Sequence, residues 1–250
     1  MLMNRSVEGF IAIDTAIEKA PPLPVAAVSG HRRIEGITNV VLNHRMAADL
    51  TMQHLHDLGH RQIAFMKGQT FSSDSGDRWK GLMAAAKRLD LEVRPELVIQ
   101  LQANLSSPEL GYPVVEQLLA QGRKFTALVC FNDISARGAI RALCDHGLRV
   151  PEDVSVVGFD DIQGAAYLNP RLTTIRQPLG EMGATAARIL LKRIRGSKDY
   201  PQRVEIDPEL MIRESTSPPG KPAHRPLPRT GASSEPGTLP PGSCAPVCNS

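Results

Sequence analysis

The feature that most constrains the fold is an alternation of short apolar runs with helical patterns along most of the chain. The runs are rich in Val, Ile, Leu and Ala, and in the segments between them apolar residues recur every three or four positions. Such runs are typical of parallel strands covered on both faces, so the chain is predicted to be an α/β protein. The predicted strands are residues 7–13, 25–28, 39–42, 62–66, 97–101, 127–131 and 154–159.

Five helices are predicted between and after these strands. Four have an apolar stripe of helical period, and a glycine follows or lies near the end of three of them. The fifth is expected to begin near Pro113, because proline inside a helix costs about 3 kcal/mol; Ser107-Pro108 also resembles a helix start. The stripes are Ala48, Met52, Leu55 and Leu58; Trp79, Leu82, Met83, Ala86 and Leu89; Ala136, Ala139, Ile140 and Leu143; and Met182, Ala186, Ile189 and Leu190.

Composition argues against several classes of protein. The net charge is +3, too balanced for a nucleic-acid surface, and the sequence has no apolar run long enough to span a membrane. Acidic residues interrupt the apolar stretch near the start, so no signal peptide is expected and the chain is predicted to be cytoplasmic. Cys130 and Cys144 lie in apolar patterns and are predicted to be small buried hydrophobes, whereas Cys244 and Cys248 lack the further ligands of a zinc site.

The composition changes sharply at residue 217. Nine of the last 34 residues are proline and four are glycine, with almost no large apolar side chains. Such a segment cannot bury enough surface to offset the entropy of ordering its backbone. Residues 217–250 are therefore predicted to be a disordered tail, and contact of its few basic residues with nucleic acid is the weaker alternative.

Polar residues follow several predicted strands, where ligands bind in parallel sheets. Asn132 follows the strand at 127–131, Asp160 follows the strand at 154–159, and Arg78 lies downstream of the strand at 62–66. An amide, a carboxylate and a guanidinium suit a neutral, polyhydroxylated ligand. The alternatives are that Asn132 or Asp133 caps a helix, that Asp160 is a turn residue, and that Arg78 is exposed in a first helical turn.

Catalytic and metal-binding signatures are not found. The sequence has no nucleophile elbow, phosphate-binding loop, dinucleotide fingerprint or zinc-protease motif. His54 and His56 would point to different faces of a helix, and His60 follows the glycine that ends it. The chain is therefore predicted to bind a small molecule without catalysis, and no cofactor or metal is expected.

Six stretches, in order, resemble the effector-binding core of the LacI/GalR family of bacterial transcriptional regulators. Each stretch alone is weak evidence, but all six occur at the family's spacing. They are LHDLGHRQIAF (55–65), RWKG (78–81), NDISARGA (132–139), VPEDVSVVGFDD (150–161), LTTIRQP (172–178) and REST (213–216).

The resemblance implies a type I periplasmic-binding-protein fold: two doubly wound parallel-sheet subdomains joined by three chain crossings. It assigns residues 1–42 and 177–199 to the N-terminal subdomain, and 43–176 and 200–216 to the C-terminal one. It further implies a homodimer that binds a sugar-like effector in the cleft between the subdomains and operator DNA through a helix-turn-helix head. The implied effector contacts are Arg78, Asn132, Asp160, Leu105 and Gln177.

The sequence departs from the family pattern at three places. Leu105 stands where an aromatic ring often stacks on the sugar, which weakens the case for a pyranose. No helix-turn-helix head precedes the strand at 7–13, so this chain alone is not expected to bind operator DNA. The first subdomain is expected to be incomplete, leaving apolar surface around Ile11 and Val25 uncovered. An exported sugar-binding receptor of the same fold is the alternative function, and it would require a signal peptide.

Overall fold

The computed structural model describes residues 7–13, 15, 17–30, 33–70, 72–101 and 110–220. They form two parallel sheets flanked by helices, which confirms the predicted α/β class. Each of the seven predicted runs overlaps a strand, and the first strand begins three residues later than predicted. Leu105 and residues 221–250 lie outside the described residues.

The first sheet has four described strands, all parallel, in the order β1-β2-β3-β9. The second has six, in the order β10-β8-β7-β6-β4-β5, and only β10 runs antiparallel to its neighbour. The strands are β1 (Phe10–Ile13), β2 (Val25–Val28), β3 (Ile37–Leu42), β4 (Ile63–Lys67), β5 (Val98–Gln100), β6 (Ala127–Val129), β7 (Ser155–Asp160), β8 (Thr173–Arg176), β9 (Arg203–Ile206) and β10 (Glu209–Met211).

Five α-helices are described, and each agrees in place with a predicted one. The fifth prediction, a start near Pro113, is two residues late, because Pro113 is in the first turn, where a missing N–H is tolerated. None of these helices is long and apolar enough to cross a membrane. The helices are α1 (His44–Asp57), α2 (Ser73–Arg88), α3 (Gly111–Ala120), α4 (Asp133–Asp145) and α5 (Leu179–Ile194), with short 3-10 helices at Pro95–Leu97 and Gln163–Tyr167.

The chain passes between the two sheets three times: from β3 to α1, from β8 to α5, and from β9 to β10. The prediction that residues 200–216 all belong to the second subdomain is wrong. β9 pairs with β3 in the first sheet, and only β10 joins the second. At the last crossing Asn43 N donates to the carbonyl oxygen of Ile206 (2.8 Å), which ties two crossings together.

The apolar surface of the first sheet is better covered than expected. Val25 is fully buried, because β2 lies between two strands and packs against Phe10, Ile17, Ala20 and Ile34, so the prediction of uncovered surface there is wrong. On the edge strand β1, by contrast, Ile11 is 36% exposed and Ile13 is 68% exposed. Helix α5 packs on the central strands of the first sheet with Met182 and two further apolar side chains of the helix.

The segment after β10 forms a strap across the amino ends of the second sheet. Ser215 is fully buried; its carbonyl oxygen accepts from Val156 N (2.7 Å) and its Oγ from Thr173 N (2.8 Å). The Ser217 carbonyl oxygen lies 2.9 Å from Nε2 of the buried His60 and accepts from Ser155 Oγ (3.0 Å). The prediction of disorder from residue 217 onward is therefore wrong for Ser217, because these hydrogen bonds hold Ser217 to the sheet.

Candidate functional site

Arg78 lies in α2 at the carboxyl end of the second sheet, with only 9% of its surface exposed. Its Nη1 donates to the carbonyl oxygen of Phe131 (2.8 Å), and its Nη2 lies 3.3 Å from Asp74 Oδ2 and 3.5 Å from Asp160 Oδ1. The guanidinium carbon is 3.7 Å from the centre of the Phe159 ring. Arg78 is therefore a buried, oriented cation, and the alternative of an exposed first-turn residue is wrong.

Asp160 is the last residue of β7, and its φ of +111° is rare for a residue with a side chain. Its Oδ1 accepts from Gln177 Nε2 (2.6 Å) as well as facing Arg78. Burial raises the pKa of Asp160 above its usual value, while Arg78 and Gln177 act in the opposite direction. Gln177 follows β8 at a crossing, so this carboxylate joins the second sheet to the chain entering the first.

Asn132 caps α4, as one sequence alternative proposed. Its Oδ1 accepts from Ser135 N (2.9 Å), and Ser135 Oγ accepts from Asn132 N (3.1 Å), which completes a capping box. Asn132 directly follows Phe131, whose carbonyl oxygen holds Arg78. Its predicted contact with an effector is untested by this geometry and stays a prediction.

Asp133 supports the loop that carries Asp160. It is 1% exposed; its Oδ2 accepts from Ile162 N (2.9 Å) and its Oδ1 from Thr174 Oγ1 (2.5 Å). Burial raises the pKa of Asp133 to about 7. The close approach requires glycine at position 158, because a Cβ there would overlap the Asp133 carboxylate.

Asp161 holds two arginines, one at the end of β8 and one after β10. Its side chain is 7% exposed and accepts from Arg176 Nε (2.7 Å) and Arg213 Nη2 (2.5 Å). Partial burial raises the pKa of Asp161, but these hydrogen bonds lower it by more, so the pKa stays below its ordinary value. Asp160 thus contacts Arg78 and Gln177, whereas the adjacent Asp161 ties the end of β7 to β8 and to the segment after β10.

Sequence reasoning missed several residues around Arg78. His44 begins α1, is 8% exposed, and places its Nε2 3.3 Å from Asp74 Oδ1. The ring centres of Phe131 and Phe159 lie 4.7 Å and 3.7 Å from the guanidinium carbon. The two phenylalanines could have been found as the aromatic ends of apolar runs, directly before Asn132 and Asp160. No comparable signal marks His44.

Of the five predicted contacts, the structure joins Arg78, Asp160 and Gln177 through hydrogen bonds and close charges. The set contains donors, an acceptor carboxylate and two aromatic faces, a combination that recognises polar molecules having an apolar face. Residues 52–216 match the periplasmic binding protein-like domain. The chain belongs to this family.

Relatives and solved structures narrow the match to the LacI/GalR regulators. The chain is 34% identical to the HTH-type transcriptional repressor PurR of Yersinia pestis bv. Antiqua over 226 residues, which covers 87% of this chain and 65% of that relative. The chain therefore spans less than two thirds of that repressor's length. Together these findings identify it as a LacI/GalR effector-binding core.

Two solved structures are similar over most of the chain. A LacI family regulator from Enterococcus faecium with bound ribose is 29% identical, with a TM-score of 0.74, and covers 87% of this chain and 82% of its own. The lac repressor dimer bound to operator is 27% identical, with a TM-score of 0.75, and covers 86% of this chain and 76% of its own. The similarity confirms the doubly wound fold.

Proposed function

We propose that this chain is the effector-sensing core of a LacI/GalR transcriptional regulator and that it binds a small polar metabolite, such as a sugar, between its two sheets. Arg78 and Gln177 donate hydrogen bonds to the ligand, Asp160 accepts from it, and Asn132 contributes its amide. Leu105, outside the described residues, is proposed as an apolar contact. The chain performs no bond-making chemistry, so the ligand leaves unchanged.

One observation carries this proposal: Asp160 Oδ1 lies 2.6 Å from Gln177 Nε2 and 3.5 Å from Arg78 Nη2. Residues far apart in sequence thus share one partly buried acceptor at the strand ends. Hydrogen bonds to charged groups contribute about 1.5–3 kcal/mol each, so two or three of them with an apolar wall support micromolar affinity. The ribose-bound relative from Enterococcus faecium supports a sugar as ligand.

The proposed signal is a change in the angle between the two sheets. Phe159 stacks under Arg78 and also belongs to an apolar cluster with Met182 of α5 and Val28 of the first sheet. A ligand that moves Arg78 therefore acts on the packing between the sheets, and it favours whichever arrangement it binds better. The whole regulator is proposed to be a homodimer that contacts operator DNA through a helix-turn-helix head.

Homodimerisation has support in one exposed surface. Tyr167 is 81% exposed and Ile162 is 40% exposed, in the same segment after β7. Aromatic residues are enriched in protein interfaces. Sedimentation velocity at micromolar concentration tests the dimer, and a single monomeric species would contradict it.

The binding site is tested by substitution. A ligand is identified by titration calorimetry with four sugars: D-ribose, D-xylose, D-glucose and cellobiose. Binding is also followed by the fluorescence of Trp79, the single tryptophan. Arg78→Ala and Asp160→Ala are each expected to weaken binding tenfold or more, because each removes a charged hydrogen-bonding group.

Arg88→Ala is the matched control for Arg78→Ala. Arg88 lies on the same helix and is 44% exposed in an ion pair with Asp49, so its removal is expected to leave affinity unchanged. Equal affinity of all three variants and the wild type would remove Arg78 and Asp160 from the site. If a wider panel of nucleobases and amino acids also fails to bind the wild type, the proposed function is wrong.

A further inference from the structure

Beneath Arg78 lies a small cavity of about 30 Å³ between α1, α2 and the carboxyl ends of the second sheet. A water-sized group needs about 10–15 Å³ by this measure, so the cavity holds about two such groups. Its walls are mostly apolar, and they include Ala47, Met66 and Val129.

Two buried nitrogen atoms on residues lining this cavity have no hydrogen-bond partner among the described residues. They are Arg78 Nε and His44 Nδ1, on side chains that are 9% and 8% exposed. An unpaired buried polar atom costs about 1–3 kcal/mol, so a ligand group that pairs with both recovers that free energy. Apolar surroundings make such a pairing stronger than it would be in water.

The two atoms call for different partners. Arg78 Nε–H can only donate. His44 Nε2 lies 3.3 Å from Asp74 Oδ1, and the neutral tautomer with its proton on Nε2 leaves Nδ1 as an acceptor. A hydroxyl group accepts from the first and donates to the second. An ionised phosphate only accepts, and it would also approach Asp74 and Asp160, which already flank the guanidinium.

We propose that His44 Nδ1 and Arg78 Nε form a subsite for one hydroxyl or hydroxymethyl group of the effector, and that the effector is an unphosphorylated polyol. This inference rests on the proposed function and deepens it. His44 determines specificity by accepting the hydroxyl proton, a contact that an oxygen without hydrogen cannot make.

The test uses the full chain and the tightest-binding sugar of the panel, with its phosphate ester as the second probe. His44→Ala is expected to weaken binding of the sugar at least tenfold. His44→Phe, which keeps a ring but no nitrogen, is expected to show the same loss, and it serves if the alanine variant unfolds. The phosphate ester is expected to bind the wild type at least tenfold more weakly than the sugar.

His56→Ala is the matched control, because His56 lies on the same helix and its Nδ1 also has no hydrogen bond, but it is at the other end of α1 and does not line the cavity. Its affinity for the sugar is expected to equal that of the wild type. If both His44 variants bind normally while Arg78→Ala does not, the subsite is refuted and the proposed function stands. If the phosphate ester binds more tightly, the ligand class is wrong. If no compound in the wider panel binds the wild type, both proposals fail.

Discussion

Replacement of Asp133 by asparagine is predicted to remove a pH dependence of stability. Burial raises the pKa of Asp133 from 3.8 to about 7 in the folded chain, whereas the unfolded chain keeps the ordinary value. The folded state therefore binds more protons than the unfolded state between these two values, and the free energy of unfolding falls as the pH rises through them. A difference of roughly three pH units corresponds to about 4 kcal/mol at most.

Most of the accessible effect lies between pH 5 and pH 8, where ionisation of Asp133 lowers the free energy of unfolding by about 2–3 kcal/mol. Asparagine resembles the protonated side chain: its oxygen can accept from Ile162 N and its amide can donate to Thr174 Oγ1, at the positions the carboxyl oxygens occupy. Asp133→Asn is therefore expected to gain stability relative to the wild type as the pH rises, and to exceed it at pH 8.

The assay is urea unfolding at pH 5, 6, 7 and 8, followed by Trp79 fluorescence, because Trp79 packs on the same sheet as Asp133. The difference between the two proteins at each pH cancels the other titrating groups, which both share. A difference that stays constant from pH 5 to pH 8 would refute the reasoning, since Asp133 would then not titrate in that range.

Two further predictions concern the strap and the close approach at Gly158. Burial lowers the pKa of His60 below 6.5, so the unfolded chain binds a proton more readily than the folded chain, and the free energy of unfolding falls as the pH drops below about 6.5. In urea unfolding, His60→Gln is expected to reduce this fall in the free energy of unfolding with falling pH. An equal fall in the variant and the wild type would contradict the prediction. Gly158→Ala is expected to cost about 2 kcal/mol or more, because its Cβ would overlap the carboxylate of Asp133. Gly180→Ala, in open space on α5, is the control and is expected to melt within a few degrees of the wild type; equal melting of both variants would show that position 158 has room.

The sequence predicted strands that lie in continuous apolar runs and missed β8 and β9, in which polar residues interrupt the apolar ones. The run at 25–28 predicts a strand because all four of its residues are apolar, and in the structure every one of them is buried. β9 lies at the edge of its sheet, and its residues alternate between exposed and more buried positions. β8 begins with two threonines, which are polar residues and become buried only because neighbouring elements cover them. Both strands form through pairing with residues that are distant in sequence, and a local sequence pattern does not encode such pairing.

The site was predictable only in part. Arg78, Asp160 and Gln177 were singled out by their places in the chain and by resemblance, and the structure brings them together. The capping role of Asn132 followed from its position before a helix. His44 was missed because its importance depends on Asp74, thirty positions away in sequence, and on a cavity that no local pattern reveals.

The three crossings have a consequence for how the molecule can move and be divided. Because β9 returns to the first sheet before β10 rejoins the second, each half is assembled from pieces that are distant along the chain, and no single cut would liberate either half as a continuous polypeptide. Three connections between the halves are also expected to resist sliding of one half past the other more than bending between them. We therefore expect opening and closing of the two halves about these connections to be the main large-scale motion.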